Sequence, residues 1–234
     1  MTNLIEKLQS GERLDADECA GLYDLDLFTL GKFANAKRRK LHGKKVFFNV
    51  NRHINPTNVC ADVCKFCAFS ANRKNPNPYT MSHEEILKIV EKSVAGGAKE
   101  IHIVSAHNPD TSWQWYLEIF KKIKEKYPQI HVKALTAAEV DFLSRKHGLS
   151  YEEVVEKMLE YGIDSMPGGG AEIFDEAVRR KICKGKVSSE NWLKIHRLWH
   201  EKGKQSNATM LFGHIESRQN RIDHMLRIRD LQDK

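Results

Sequence analysis

Three cysteines within residues 60–67 form the densest group of reactive side chains in the sequence. Cys60, Cys64 and Cys67 are spaced C-x3-C-x2-C, and thiolates are the usual ligands of iron–sulfur clusters. Three thiolates hold three irons of a four-iron cluster, so the remaining iron stays open to another ligand, as in a catalytic metal site. A ferredoxin would supply a fourth cysteine with its own spacing, and none follows nearby. The spacing therefore favours a [4Fe-4S] cluster with one open corner.

Zinc is the structural alternative for the same thiolates, because Cys3His sites exist. His53 precedes Cys60 by seven residues and would complete such a site. The paired C-x2-C units of a zinc ribbon are absent, which favours the cluster. Cys19 and Cys183 are isolated, and we expect both to be small buried or half-buried side chains. The odd number of cysteines argues against a disulfide framework.

The elements that must position this loop alternate between strand and helix. Ser82–Glu85 and Ser150–Glu153 are capping boxes, and each opens a helix with an apolar face. Short apolar segments between the helices predict five strands, over residues 46–50, 101–104, 130–134, 163–166 and 208–212. This alternation predicts repeated βαβ units and a parallel sheet, and hence an α/β fold of the TIM-type (β/α) barrel class.

Two regions are predicted along the chain. Residues 1–45 are expected to form an N-terminal helical cap, and residues 46–234 are expected to form the barrel. The second region is shorter than the roughly 250 residues of a typical eight-stranded barrel. The sequence also stops within a predicted helix. We therefore expect a barrel that is incomplete at its C-terminus, with an open sheet edge.

The composition is that of a soluble globular protein with a basic balance. The net charge is +7, and the densest basic run is Lys37–Lys40. A basic run can bind nucleic acid, but cations are also favoured at the C-terminal end of a helix, where this run is predicted to lie. We expect the second, and hence no nucleic-acid partner. A zinc-binding module associated with nucleic acid is the alternative.

The sequence also indicates the location of the protein in the cell. No apolar run is long enough to cross a bilayer, and the polar N-terminal segment is not a secretory signal. We therefore expect a cytoplasmic protein without a membrane partner.

The cysteine loop resembles the signature of the radical S-adenosylmethionine (SAM) superfamily, which is C-x3-C-x-aromatic-C. Phe66 occupies the aromatic position, and the loop follows a predicted strand at the start of the α/β region. The resemblance implies that the open iron binds the amino and carboxylate groups of SAM and that Phe66 packs near its adenine. It also implies that one electron from the cluster cleaves SAM to methionine and a 5′-deoxyadenosyl radical, with the cofactor supplying the chemistry.

Longer segments narrow the resemblance to the futalosine-pathway enzymes of menaquinone biosynthesis. These segments are Asn55–Asn58, Phe66–Ser70, Lys133–Glu139, Ser165–Glu172 and Asn207–Glu216. Together they are most similar to the aminofutalosine synthase family. The family reaction joins the deoxyadenosyl group of SAM to 3-[(1-carboxyvinyl)oxy]benzoate, a chorismate-derived enol ether. The resemblance also implies an electron donor such as flavodoxin or ferredoxin.

Two alternatives to this reading remain open. The dehypoxanthine futalosine cyclases share several of the segments, but they usually have Tyr in place of Pro56 and lack the K-A-x-T-A segment. These differences favour the synthase. The other alternative is a truncated, non-catalytic fragment that keeps the iron–sulfur cluster.

Two segments are expected to contribute to the SAM site. Superfamily members often carry a glycine pair after the second strand, where backbone approaches the SAM amino group, and this chain has Ser105 and Ala106 there. Gly168, Gly169 and Gly170 follow a predicted strand and precede a helix. Glycines permit close backbone approach, and a helix N-terminus attracts anions. A bland tight turn is the alternative for the three glycines.

Polar residues after the predicted strands complete the candidate site. Glu139 and Glu172 are predicted to lie in loops at the end of the barrel where active sites gather, and either would bond the ribose hydroxyls or the SAM ammonium. Asn207 and Thr209 share one side of the predicted fifth strand and are expected to face the lumen. His214 is expected to transfer protons near neutral pH. We assign Glu139 and His214 to catalysis and the other three to cofactor binding; a surface or structural position is the alternative for both carboxylates and for the histidine.

Overall fold

The computed structural model describes residues 2–71 and 76–234, and it separates the chain into two compact units. The first unit combines residues 1–48 with residues 214–234, and the second comprises residues 49–213. The predicted boundary after residue 45 lies close to this division. The C-terminal segment, which we expected within the barrel, is grouped with the N-terminal helices instead.

The second unit is built on a parallel sheet of five strands, ordered β1-β2-β3-β4-β5. The strands are β1 Asn51–Ile54, β2 Glu100–Ile103, β3 His131–Ala134, β4 Ser165–Met166 and β5 Gln205–Ser206. Strands that neighbour one another in the sheet are also consecutive in the chain, which is the arrangement of repeated βαβ units. The predicted α/β class with a parallel sheet is confirmed.

Two of the five predicted strands are wrong. Residues 46–50 are not a strand: Val46, Phe47 and Phe48 are 75% to 89% exposed, and the ladder with β2 begins only at Asn51. Residues 208–212 are not a strand either. The chain pairs with β4 earlier, through two polar residues, because a parallel ladder needs only backbone groups in register.

Helices flank this sheet at the positions that the alternation predicted, with one addition. Ser82 and Ser150 cap α4 and α7 as capping boxes. A further helix, α6, begins directly after β3, where we predicted a loop; Thr136 and Glu139 form its capping box. The helices of this unit are α4 His83–Ala95, α5 Trp113–Lys126, α6 Ala137–His147, α7 Tyr151–Glu160, α8 Glu176–Ile182 and α9 Ser189–Glu201.

The two faces of the central strands differ in polarity. One face carries Ile101 and Ile103 of β2 and Val132 and Ala134 of β3, all of them buried. The opposite face is polar, and there the Lys133 ammonium lies 3.1 Å from the Glu100 carboxylate. All five strands run in the same direction, so the loops that follow them emerge at one edge of the sheet.

The first unit is helical. It contains α1 Thr2–Ser10, α2 Ala16–Gly21, a 3-10 turn at Leu22–Asp24, α3 Leu27–His42 and the last helix, α10 Arg218–Gln232. The C-terminal helix contacts the N-terminal segment through two interactions. Arg13 forms an ion pair with Asp233, and the Arg229 guanidinium donates a hydrogen bond to the Leu14 carbonyl at 2.7 Å. Among the described residues, no helix is both long and apolar enough to span a membrane.

Candidate cluster-binding site

The cysteine loop follows β1, and its first and last residues are hydrogen-bonded to each other. The Asn58 carbonyl accepts the Ala71 N–H at 2.8 Å, and Val59 forms a bridge with Ala71. The Asn58 side chain also accepts the Tyr79 N–H at 2.8 Å and donates to the Asn77 carbonyl at 3.0 Å. Asn58 is buried, and it ties the start of the cysteine loop to Ala71 through its carbonyl and to residues 77 and 79 through its side chain.

The residues before Asn58 anchor the base of this loop to the neighbouring strand. The Asn55 amide donates to the Val104 carbonyl at 2.8 Å. The Thr57 hydroxyl is fully buried, donates to the Tyr79 carbonyl at 2.8 Å and accepts from the Asn108 amide at 3.1 Å. Both side chains therefore support the loop by bonding to other protein groups.

The three cysteines line one cleft at the carboxyl edge of the sheet. It is open to solvent on one side, and its walls come from the cysteine loop, from the segment after β2 and from the segment after α8. The lining residues are Cys60, Asp62, Cys64, Phe66, Cys67, Phe69, Ser70, Ser105, Ala106, His107 and Lys186. Four of the residues predicted from the superfamily resemblance, the cysteines and Phe66, are thus brought together with Ser105 and Ala106.

Backbone bonds hold the cysteine loop against both walls. The Ala61 N–H donates to the His107 carbonyl at 2.9 Å, and the Lys65 N–H donates to the Ile182 carbonyl at 2.8 Å. Cys64 packs against the apolar cluster formed by Ile173, Val178, Ile182 and Cys183. Burial raises the pKa of Cys64 to about 12 and also raises the pKa of Cys60. Their thiols are therefore neutral until a metal displaces the protons.

The donor set fits an iron–sulfur cluster better than a single zinc ion. No three His, Cys, Asp or Glu side chains within residues 2–71 and 76–234 are close enough to share one metal ion. A cluster gives each thiolate its own iron, whereas zinc gathers all four ligands at one point. His53, the proposed fourth zinc ligand, is exposed on β1 and contacts His102, with 3.4 Å between the two Nδ1 atoms.

Asp62 and His107 line the cleft as a buried pair in contact with each other. The Asp62 carboxylate lies 2.8 Å from His107 Nδ1, and both side chains are less than 10% exposed. Burial disfavours the charged carboxylate, but the contact with His107 outweighs it and lowers the pKa of Asp62. The His107 ring also stacks on Phe142, with 4.8 Å between the centroids. This pair joins the cysteine loop to the segment after β2.

A largely buried ion pair lies beside Phe66. The Lys186 ammonium is 2.7 Å from the Glu172 carboxylate, and both side chains are largely buried. The same ammonium lies 5.9 Å from the centroid of the Phe66 ring. Glu172, which was predicted to bind SAM, therefore reaches the site through Lys186, and its own side chain is not among the residues that line the cleft.

The three glycines after β4 are packed against protein. A Cβ at Gly168 would lie 2.5 Å from the Asn207 carbonyl oxygen, and one at Gly169 would lie 2.8 Å from the Thr136 methyl group. Gly170 has a φ of +90°, which side chains rarely adopt, and it lies against α6. The cleft lining contains none of the three. Their small size permits close packing of the loop after β4 in this structure.

Glu139 lies one layer behind the cleft. It belongs to the first turn of α6, and its carboxylate accepts the Ser105 N–H at 2.7 Å and the Thr136 N–H at 2.8 Å. It is buried. Ser105 lines the cleft, so Glu139 acts on the site by holding the Ser105 backbone.

The remaining predicted site residues lie away from the cleft lining. The Thr209 hydroxyl donates to the Gly168 carbonyl at 2.6 Å, and the Asn207 N–H donates to the Met166 carbonyl at 3.1 Å. His214 belongs to the helical unit, where its Nδ1 lies 3.2 Å from the Glu216 carboxylate. The roles assigned to these three residues stay predictions.

Sequence reasoning missed five residues that line the cleft. Asp62 lies between the first two cysteines, and Phe69 and Ser70 follow the third, so their positions next to the ligands were an available signal. His107 adjoins the segment that was singled out for SAM. Lys186 had no local signal, because it reaches the cleft only through the packing of the segment after α8.

This combination of fold and site defines a radical SAM protein, and comparison with known proteins agrees. The sequence profile of the Radical SAM superfamily matches residues 54–228. The chain belongs to the radical SAM superfamily.

Three curated proteins with different activities are similar in sequence to this chain. The chain is 43% identical to the aminodeoxyfutalosine synthase of Thermus thermophilus, over 99% of this chain and 62% of that protein. It is 37% identical to the 5-amino-6-(D-ribitylamino)uracil–L-tyrosine 4-hydroxyphenyl transferase of Methanopyrus kandleri, over 89% of this chain and 57% of that protein. It is 34% identical to the cyclic dehypoxanthine futalosine synthase of Halalkalibacterium halodurans, over 99% and 63%. The chain spans about three fifths of the length of these relatives.

Solved structures show the same fold at low sequence identity. The crystal structure of methylornithine synthase (PylB) matches with a TM-score of 0.73 at 19% identity, over 98% of this chain and 64% of that one. At this identity the match shows the fold alone.

Proposed function

We propose that Cys60, Cys64 and Cys67 hold a [4Fe-4S] cluster and that SAM binds at its open iron. One observation carries the proposal: three thiols, and no fourth, line a single cleft among the described residues. Cys183 is buried in the apolar cluster beside Cys64, and Cys19 lies in the helical unit. When bound, the cluster supplies the electron that cleaves SAM to methionine and a 5′-deoxyadenosyl radical.

The residues of this chain orient the cofactors. Phe66 offers an aromatic face in the cleft for the adenine, and Ser105 and Ala106 offer small side chains beside which a ligand can approach. Glu139 fixes the backbone of Ser105. The Asp62–His107 pair holds the cysteine loop to the wall that carries Ser105 and Ala106.

For the whole protein we propose an aminofutalosine synthase activity in menaquinone biosynthesis. The reaction joins the deoxyadenosyl group of SAM to 3-[(1-carboxyvinyl)oxy]benzoate, and the proposed electron donor is a flavodoxin or a ferredoxin. The support is sequence similarity: the relative with the synthase name is 43% identical, against 34% for the cyclase relative.

The cluster is tested by anaerobic reconstitution of the chain with iron and sulfide. We expect a brown protein with about four irons per chain, which cleaves SAM when dithionite is added. Alanine in place of Cys60, Cys64 or Cys67 removes the colour and the cleavage, whereas Cys19→Ala keeps both. A colourless protein that binds zinc instead contradicts the proposal. Colour without SAM cleavage supports the non-catalytic fragment.

The substrate is tested by supplying SAM and one candidate acceptor at a time. The enol-ether benzoate is expected to give a product whose mass is that of the adenosyl adduct after loss of carbon dioxide. Dehypoxanthine futalosine is a competing substrate, which a cyclase would convert without adding the deoxyadenosyl group, and L-tyrosine with 5-amino-6-(D-ribitylamino)uracil is a further one, chosen from the names of the relatives. Turnover of either in place of the enol ether would reassign the reaction while leaving the cluster intact.

A further inference from the structure

Lys186 places a buried positive charge in the wall of the cysteine cleft. Its side chain is only 16% exposed, and it lines the cleft together with Cys64 and Phe66. Its ammonium approaches the Phe66 ring at 5.9 Å. A cluster bound to the cysteines would therefore have this ammonium beside it, in surroundings from which much of the water is excluded.

The counter-charge of Lys186 is Glu172, which lies outside the cleft lining. The Glu172 carboxylate is 2.7 Å from the ammonium and 14% exposed, but Glu172 is not among the cleft-lining residues. The pair is therefore a dipole, with its positive end in the wall and its negative end behind it.

Arg179 fixes the backbone that carries both partners of this pair. Its buried guanidinium donates to the Ala171 carbonyl at 2.5 Å and to the Ile173 carbonyl at 3.1 Å, on either side of Glu172. It also donates to the carbonyl of Val187, the residue that follows Lys186. Glu172 itself has a φ of +46°, a backbone conformation that costs energy and persists only when the surroundings enforce it. The dipole thus has a defined orientation.

We propose that the Lys186–Glu172 pair sets the reduction potential of the cluster, with Lys186 raising it and Glu172 limiting the increase. In this proposal both are positioning residues that act on the cluster through their charge. The physical basis is that the potential of an iron–sulfur cluster depends on nearby charge, on hydrogen bonds to its sulfurs and on solvent exposure. A cation favours the reduced cluster, which carries one more electron, and a carboxylate disfavours it; the effect is larger where water screens less. The inference rests on the cluster assignment made under the proposed function.

The Asp62–His107 pair is the other ionisable pair that faces the cleft. Its residues are the same in every variant described below. Lys184 provides a matched control, because it carries the same charge on the same segment and is exposed to solvent.

The test is a redox titration of the reconstituted chain, with the reduced cluster followed by electron paramagnetic resonance. The step measured is the transfer of one electron from dithionite to the oxidised cluster, with no bond made or broken. Lys186→Gln is expected to disfavour reduction about tenfold, which is about 59 mV for a one-electron couple. Glu172→Gln is expected to shift the midpoint in the opposite direction, because it leaves the lysine charge uncompensated. Lys184→Gln should change the equilibrium constant of reduction by less than twofold, because water and salt screen an exposed charge.

Opposite signs distinguish an electrostatic role from a structural one. Equal midpoints for all variants, or shifts of the same sign for Lys186→Gln and Glu172→Gln, would overturn the inference. If Lys186→Gln fails to load iron, Lys186→Arg replaces it as the variant that keeps the charge, and the decision then rests on Glu172→Gln. A less negative midpoint in Glu172→Gln supports the inference, and an unchanged or more negative midpoint refutes it. A parent chain without any iron–sulfur signal refutes the proposed function itself, which is a separate result.

Discussion

Glu139 and Glu153 occupy the same position in two capping boxes, yet only Glu139 is buried. Both oxygens of Glu139 are in use, since one accepts the Ser105 N–H at 2.7 Å and the other accepts the Thr136 N–H and hydroxyl, each at 2.8 Å. In Glu153, a single oxygen accepts both bonds from Ser150. The same capping motif therefore supports the cleft in α6, where Glu139 also binds Ser105, whereas in α7 it only caps the helix.

Glu139→Gln is expected to lower the free energy of unfolding by about 1–3 kcal/mol, because an amide turns a donor toward a buried N–H that then lacks an acceptor. Chemical denaturation of the two chains measures the difference. In Glu153→Gln the amide can take the place of the unused oxygen, so the denaturation midpoint should not move. A loss in the Glu153 variant as large as in the Glu139 variant would mean that capping alone explains the effect.

Arg179 of α8 holds together the backbone segments that precede and follow this helix. The side chain is 3% exposed and donates to backbone carbonyls of the loop before α8 and of the segment after it. A planar group with several fixed donors fits this arrangement, whereas a lysine ammonium does not reproduce it. The loop after β4 is therefore ordered by an element that follows it in the chain.

Arg179→Lys is expected to destabilise the chain by about 3 kcal/mol or more, because it leaves buried carbonyls without donors and a buried charge poorly paired. The denaturation midpoint measures this loss. Arg180→Lys is the control, since Arg180 is exposed on the same helix, and it should behave as the parent chain does. Equal stability of both variants would contradict the role given to Arg179.

Helix α9 is joined to β5 through a buried histidine. His196 is 1% exposed, its Nδ1 lies 2.8 Å from the Ser206 hydroxyl, and its ring stacks on Trp192 at 3.7 Å between centroids. Burial, followed by repulsion from His200, lowers the pKa of His196 from 6.5 to about 3. The unfolded chain therefore binds a proton at pH values at which the folded chain does not.

This difference predicts that His196 costs stability as the pH falls through 6.5. Relative to His196→Gln, the parent chain should lose about 1.4 kcal/mol of unfolding free energy between pH about 7.5 and pH about 5.5, which corresponds to one pKa unit. Denaturation at the two pH values, in both chains, measures the change. A difference between the chains that is the same at both values would show that His196 has the same pKa in the folded and the unfolded chain, which contradicts the prediction.

Across the whole molecule, the cleft-lining residues come from segments that are distant in the chain but belong to the unit of residues 49–213. The cysteine loop, the segment after β2 and the segment after α8 meet there. A cluster that binds all three cysteines would bind the folded chain and not the unfolded one. Metal binding of this kind contributes directly to folding stability.

The reconstituted chain is therefore expected to unfold about 5–10 °C above the same chain freed of iron by a chelator. Anaerobic thermal denaturation followed by tryptophan fluorescence measures the shift. Cys64→Ala should show no shift on reconstitution, because one ligand is lost. A shift of equal size in that variant would indicate that iron binds elsewhere.

The sequence by itself determined the features that are encoded over short distances along the chain. The spacing of Cys60, Cys64 and Cys67 predicted their common cleft, and the capping boxes at Ser82 and Ser150 predicted the starts of α4 and α7. Strand–helix alternation predicted the parallel sheet. Each of these patterns reflects interactions within one loop, one helical turn or one βαβ unit, so the printed order of residues contains it.

Only the tertiary structure decided which backbone segments pair and which polar groups share the cleft. The apolar segment 208–212 fits a strand pattern better than Gln205–Ser206, yet it is Gln205–Ser206 that pairs with β4. Likewise, Lys186 lines the site and Glu139 lies behind it. Such outcomes depend on contacts between residues far apart in the chain, and no local pattern records them because the free energy of each contact arises only when the chain is folded.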